Sequence, residues 1–180
     1  MPSHPGPTNL MQMMMRMPDR AAPLMAYTRA VMRGPSAFSP AERELMFAFG
    51  SHLNACRYCY GSHTVVAEVL GVDAAVFAEI AEDIAMSSVD EKMKPASRLV
   101  EKLTLTPARV VQADAAAVLA AGWDEAAYFD AVSVCALNNF IYRLVDGTGV
   151  DIDDDGLRAA GLRMAQSGYG GTPPEAAAAD

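Results

Sequence analysis

The chain has 180 residues, 52% of them apolar, and a formal net charge of −8. That size supports one domain with a real core, and three cysteines do not make a disulfide framework. Acidity without a basic cluster argues against nucleic acid and anionic membranes as partners. No apolar run approaches the roughly twenty residues of a membrane span, and the first residues lack the basic and apolar regions of a signal peptide, so a reducing cytoplasm is the expected location.

In chain order, residues 1–9 are Pro-rich and read as irregular. Leu10 to Met17 is a methionine-heavy segment, expected to pack against the domain or another subunit, because thioether side chains fill irregular gaps, with a soft peroxide-facing or metal-binding surface as the alternative. Pro23 to Met32 reads as a helix with Leu24, Tyr27, Ala30 and Val31 as its apolar stripe, stopped by Arg33-Gly34-Pro35. Ser39, Pro40 and Glu42 then agree on a helix start, as capping residue, first helical position and capping-box partner. Gly50 is expected to weaken or end that helix. The next runs from about Ala55 to Leu70, with Gly71 as its stop, and Asp73 caps one carrying Val76, Phe77, Ile80 and Ile84.

Residues 86–94 form a polar connection, and Pro95 begins a helix containing Leu99, Val100 and Leu103. Residues 106–111 read as a loop and 114–121 as a short helix ended by Gly122. Asp124 caps a long helix through Phe129, Val132, Cys135, Leu137, Ile141 and Leu144, which Gly147 should end. Cys135, in its apolar middle, reads as an inert core thiol. Asn138 and Asn139 need hydrogen-bond partners if buried, at the site or at a subunit contact. The acidic run 151–155 has only the opening of an EF-hand loop and reads as a solvated turn. A short helix over 157–164 follows. There is no internal repeat and no alternating pattern. The prediction is a single all-α fold of seven or eight helices: a Pro/Met-rich segment over 1–20, a helical domain over 21–166 and a disordered tail over 167–180.

The chemistry concentrates between Glu44 and His63. Cys56 and Cys59 form a C-x-x-C, which reads as a redox dithiol, as half of a zinc site, or as coincidence. Structural zinc wants four N or S ligands, and beyond Cys56, Cys59 and His63 the fourth would have to be a carboxylate or water. The redox reading explains more residues. On a helix Cys59 and His63 share a face, with Cys56 three residues before Cys59 in the first turn, where free N–H groups and the dipole favour a thiolate. An imidazole one turn on can take the Cys59 proton, and Arg57 adds positive charge. A thiolate that attacks an oxidant becomes a sulfenic acid, which a neighbouring thiol converts to a disulfide. Glu44, on an otherwise apolar helix, lacks the plain capping job of Glu42, and composition favours an exposed partner of Arg43 or Arg33.

Glu44, twelve residues before Cys56, followed by Cys56-x-x-Cys59-x-x-x-His63, resembles the alkylhydroperoxidase D and carboxymuconolactone decarboxylase family, particularly its peroxidase-related branch. The run Ala136 to Leu144 resembles the family's closing helix, and the resemblance covers about residues 27–150. It implies an all-helical thiol-dependent peroxidase reducing organic hydroperoxides. Cys59 would attack the peroxide, Cys56 would resolve the sulfenic acid, and Glu44 and His63 would relay protons. No metal and no bound cofactor is implied; a thiol, lipoyl protein or thioredoxin-like donor would reduce the disulfide. A homo-oligomer, as dimer, trimer or hexamer, is also implied. The best-characterised members carry a second histidine just before the second cysteine, where this chain has Tyr58; His52 and Tyr58 itself are the candidate substitutes. Two other classes stand beside the peroxidase: a non-redox enzyme of the decarboxylase type using Glu44 and His63 as acid and base, and a redox-sensing binding protein.

Overall fold

The computed structural model describes residues 7–169. Among them all regular structure is helical, as the missing alternation predicts: α1 (Leu10–Met15), α2 (Pro18–Arg33), α3 (Pro40–Leu53), α4 (Arg57–Val69), α5 (Ala74–Glu82), α6 (Lys94–Leu105), α7 (Gln112–Ala120), α8 (Glu125–Thr148) and α9 (Asp154–Ser167), with one 3-10 turn at Pro107–Arg109. The helix beyond the expected eight is α1. Asn9 caps it by accepting the Gln12 N–H at 2.9 Å, and Met13 and Met14 enter the core. Residues 1–6, and with them most of the irregular start, lie outside the described residues, as do 170–180 of the expected tail.

α3 is the axis of the fold. Its capping box forms as read, with the Ser39 N–H donating to Glu42 at 2.7 Å and the Glu42 N–H donating to Ser39 at 3.2 Å. From Arg43 to Ser51 every residue is buried, because α2, α4, α5, α6 and α8 all pack on it. A helix enclosed on all sides buries polar residues as well, and those need partners. Arg43 donates to the carbonyls of Val31 and Gly34, both at 2.9 Å, and Asn138 of α8 donates to Phe47 O at 3.1 Å and Ser51 Oγ at 2.7 Å. Asn139 donates to Thr104 and to the Cys135 carbonyl, so both asparagines hold helices together within the chain.

Several boundaries differ from the sequence reading, each for a local reason. Gly50 does not end α3; it lies inside it, where a Cβ would come within 2.7 Å of Asn138 Oδ1, so its role is close approach. Gly147 does not end α8, because a helix tolerates an internal glycine at about 1 kcal/mol and Gly149, at φ 69°, supplies the left-handed stop. α2 begins five residues before Pro23, with Pro18 in the first turn. α9 begins earlier than expected, since Asp153 caps it by accepting the Gly156 N–H at 2.8 Å and Asp154 and Asp155 favour its first turn. The expected tail therefore starts as helix at Ser167, and Tyr169 just beyond it is buried.

Two small-residue contacts bring α9 onto α4. A Cβ on Gly161 would meet Val65 Cβ at 2.6 Å and the Ser62 carbonyl oxygen at 2.7 Å; one on Gly61 would meet Leu157 at 3.0 Å. Alanine at 161 gains about 1 kcal/mol of helix propensity, but the obstructing Ser62 oxygen is backbone and cannot swing away. Gly161→Ala is therefore expected to destabilise the protein by roughly 1–3 kcal/mol, the usual cost of overpacking, as a lowered urea midpoint at unchanged slope.

Candidate active site

Glu44 sits fully buried on α3, and three elements distant in sequence converge on it. His63 of α4 places Nδ1 2.6 Å from Oε2. Tyr169, after α9, donates its hydroxyl to Oε1 at 2.8 Å, and the same hydroxyl lies 3.2 Å from His63 Nδ1. Arg33, at the end of α2, brings Nη2 to 2.6 Å from Oε1 as an ion pair. The exposed position that composition favours for Glu44 is excluded, although Arg33 is indeed a partner.

The electrostatics follow. Burial pushes the Glu44 carboxyl up, but the charge and hydrogen bond of His63, the Arg33 charge and the Tyr169 hydroxyl together hold it below its ordinary value of 4.5. Burial and the adjacent carboxylate push the Tyr169 phenol well above 10.0, so it stays a proton donor. An ionised carboxylate only accepts, so His63 Nδ1 is the donor in that bond. Phe47 stacks on the imidazole at 3.8 Å and 18°, which fixes the ring plane.

Cys56 and Cys59 are both free thiols and both buried. Ala55, at φ 53°, turns the chain sharply between α3 and α4 and places Cys56 as the N-cap of α4 rather than within its first turn. A non-glycine residue in that region stores roughly 1–3 kcal/mol, a strain common at functional sites. The hydrogen bond to Cys56 raises the Cys59 thiol well above 9.0, and burial and the Cys56 charge push the same way. The sequence expectation was an activated, lowered thiol; in the reduced protein Cys59 is instead the member that keeps its proton, because two sulfurs this close cannot both ionise.

A cavity of about 480 Å³ opens on this cluster, lined by Cys59, His63, Phe47, Tyr58 and Tyr169 together with methionines of α1, α2 and α9. Cys56 is not part of the lining. Among the described residues no group of three or more His, Cys, Asp or Glu is arranged to hold a metal ion, so Cys56, Cys59 and His63 do not gather the fourth donor a zinc site needs.

Residues 18–102 match the carboxymuconolactone decarboxylase family. The chain's fold is that of an uncharacterized peroxidase-related protein from Silicibacter sp. TM1040, with a TM-score of 0.75 at 20% identity over 82% of this chain and 77% of that one. It is also that of an alkylhydroperoxidase AhpD core, an uncharacterized peroxidase-related protein from Ralstonia eutropha JMP134, with a TM-score of 0.74 at 20% identity and the same coverage. No curated protein matches the chain in sequence. No helix among the described residues is long and apolar enough to cross a membrane.

All four residues that the sequence resemblance put at the site, Glu44, Cys56, Cys59 and His63, lie in one region, Glu44 and His63 in direct contact. The candidate substitutes for the second histidine do not join them. His52 is exposed and tilts against Tyr60 at 5.5 Å, and the Tyr58 hydroxyl accepts the Leu10 N–H at 3.1 Å. The residue that sequence reasoning missed is Tyr169, assigned to a disordered tail. It is the only aromatic residue after Tyr142, and that isolation was its one signal.

A depressed carboxyl contributes stability that is complete above its unfolded value and is lost as pH falls through the lower folded value. Wild-type protein is therefore expected to lose stability below about pH 4.5, and Glu44→Gln to show a shallower acid limb in urea titrations across that range. Tyr169→Phe removes a donor from a buried charge and should cost about 1–3 kcal/mol, read in the same titrations at pH 7.

Proposed function

We propose that this protein is a thiol-dependent peroxidase that reduces organic hydroperoxides through a Cys56–Cys59 dithiol–disulfide cycle. The observation that carries this reading is that Cys59 lines the apolar cavity beside His63, while its partner Cys56 lies behind it within hydrogen-bond reach. A substrate entering the cavity meets Cys59 first.

The cycle balances as follows. His63 Nε2 accepts the Cys59 proton, and the thiolate attacks the terminal oxygen of R–O–O–H. The O–O bond breaks, Cys59 becomes a sulfenic acid, and RO⁻ leaves as ROH with the proton His63 received. The Cys56 thiol then attacks the sulfenic sulfur, forming the disulfide and releasing water. An external thiol, lipoyl group or thioredoxin-like protein returns two electrons and two protons. Glu44 stabilises the imidazolium while it exists, Tyr169 and Arg33 keep Glu44 ionised, and Phe47 holds the ring. Tyr169 thus supports the relay from the Glu44 side, although the position expected to carry a second histidine holds Tyr58.

One equivalent of cumene hydroperoxide added to reduced protein is expected to remove two hydrogens from the intact mass, with peptide mapping to a Cys56–Cys59 bond. Cys59→Ser should abolish the reaction, and Cys56→Ser should leave Cys59 as sulfenic or over-oxidised species. Thiols unreacted after minutes would sink the peroxidase and favour an acid–base role for Glu44 and His63. Glu44→Gln and His63→Ala should slow the first step by roughly 10²–10⁴-fold, the span of general acid–base assistance. Because the Cys59 thiol is raised and its thiolate is the nucleophile, single-turnover oxidation should keep accelerating as pH rises to the ordinary thiol value of 9.0. A rate already level below neutrality would contradict that order of ionisation.

A further inference from the structure

The cavity walls hold five methionines: Met11, Met14 and Met15 from α1, Met25 from α2 and Met164 from α9. Methionine is commonly a gap-filler in irregular cores. That role accounts for Met13, which is buried in the core and is not part of the cavity lining. It does not account for five thioethers arranged around a space of about 480 Å³. The wall carries no carboxylate and no lysine; Arg163 and His63 are its basic side chains, and the thioethers make up most of its apolar part together with Leu10, Phe47, Ile141 and Ala160.

We propose that these methionines are a second hydroperoxide-reducing site, oxidised to sulfoxide by the peroxide that the cavity captures. The inference rests on the reading above only in that an organic hydroperoxide enters the cavity; it does not require Cys59 to turn over. The step needs no further reactant. A thioether sulfur attacks the terminal oxygen of R–O–O–H, the O–O bond breaks, and that oxygen stays on sulfur as the sulfoxide. The hydroperoxide's own proton leaves with RO⁻ as ROH, so sulfur loses the two electrons that the peroxide gains. The site is stoichiometric and is restored by methionine sulfoxide reductases. It also limits itself: each sulfoxide turns an apolar wall polar, which lowers affinity for an apolar hydroperoxide and spares the dithiol from over-oxidation under excess oxidant.

Met86 supplies an internal control. It lies outside the cavity and is 82% exposed, whereas Met14 is 1% exposed and Met25 and Met164 are partly buried. The experiment treats full-length Cys56→Ser/Cys59→Ser protein with cumene hydroperoxide and, separately, with hydrogen peroxide, and follows sulfoxide at each methionine by peptide mass spectrometry. Wild-type protein already in the disulfide form serves equally if the double variant does not fold. Cumene hydroperoxide should oxidise at least one of Met14, Met25 and Met164 several-fold ahead of Met86. With hydrogen peroxide, which the apolar wall does not concentrate, Met86 should lead. Met86 leading with both oxidants, or the cavity methionines leading equally with both, overturns the proposal. Sulfoxides in the expected order in a wild-type protein whose thiols never react would sink the peroxidase and leave this site standing. A Cys56–Cys59 disulfide without that order would do the reverse.

Discussion

A fully buried carboxylate is the constraint on which this structure turns. Removing a carboxylate from water costs several kcal/mol even after relaxation, and nothing on α3 itself offsets that for Glu44. The compensation comes from Arg33, His63 and Tyr169, carried by the end of α2, the middle of α4 and the residue pair that follows α9. Tyr169 is 125 residues away in sequence. Closing the site and closing the fold are therefore the same event: the helices that bury Glu44 also deliver the groups that make its burial tolerable. Tyr169 is itself held from two sides, since Arg29 donates to its carbonyl at 2.9 Å and the Arg33 guanidinium lies 5.0 Å from its ring.

The same low-polarity interior sets the state of the thiols. A site built only to lower a thiol pKa would leave Cys59 exposed beside a cation, and here it is buried, with the neighbouring Cys56 and burial both raising it. Such a thiol is protected from indiscriminate oxidants and becomes a nucleophile only when a base removes its proton. In the proposed cycle that base is His63, whose other ring nitrogen Glu44 holds at 2.6 Å. The same ring lines the cavity, and Phe47 stacks on it.

The sequence made legible what depends on local rules. Capping by Ser39, Asp73 and Asp124, the helical periodicity and the Glu44, Cys56, Cys59 and His63 spacing all appear in the structure where those rules put them. Glycines were read less well, because a glycine that ends a helix and one that admits a neighbouring side chain look alike in a single chain. Gly50 and Gly161 are of the second kind, and only the position of Asn138 or Ser62 reveals it. Tyr169 was illegible for a related reason. Its flanking glycines and the prolines beyond it signal disorder, and that composition says nothing about a single ring captured by a charge on a distant helix.

Tyr58 shows how one substitution can move chemistry and shape together. At the position where the sequence resemblance expects a histidine, the tyrosine accepts the Leu10 N–H and so pins α1. That hydrogen bond satisfies one of the free N–H groups at the start of a six-residue helix, too short to hold itself. Without α1 the cavity loses Met11, Met14 and Met15 from its wall, and Cys59 faces water rather than apolar side chains. Burial is also one of the causes that raise the Cys59 thiol. Tyr58 thus acts through packing, by setting how dry the Cys59 thiol is.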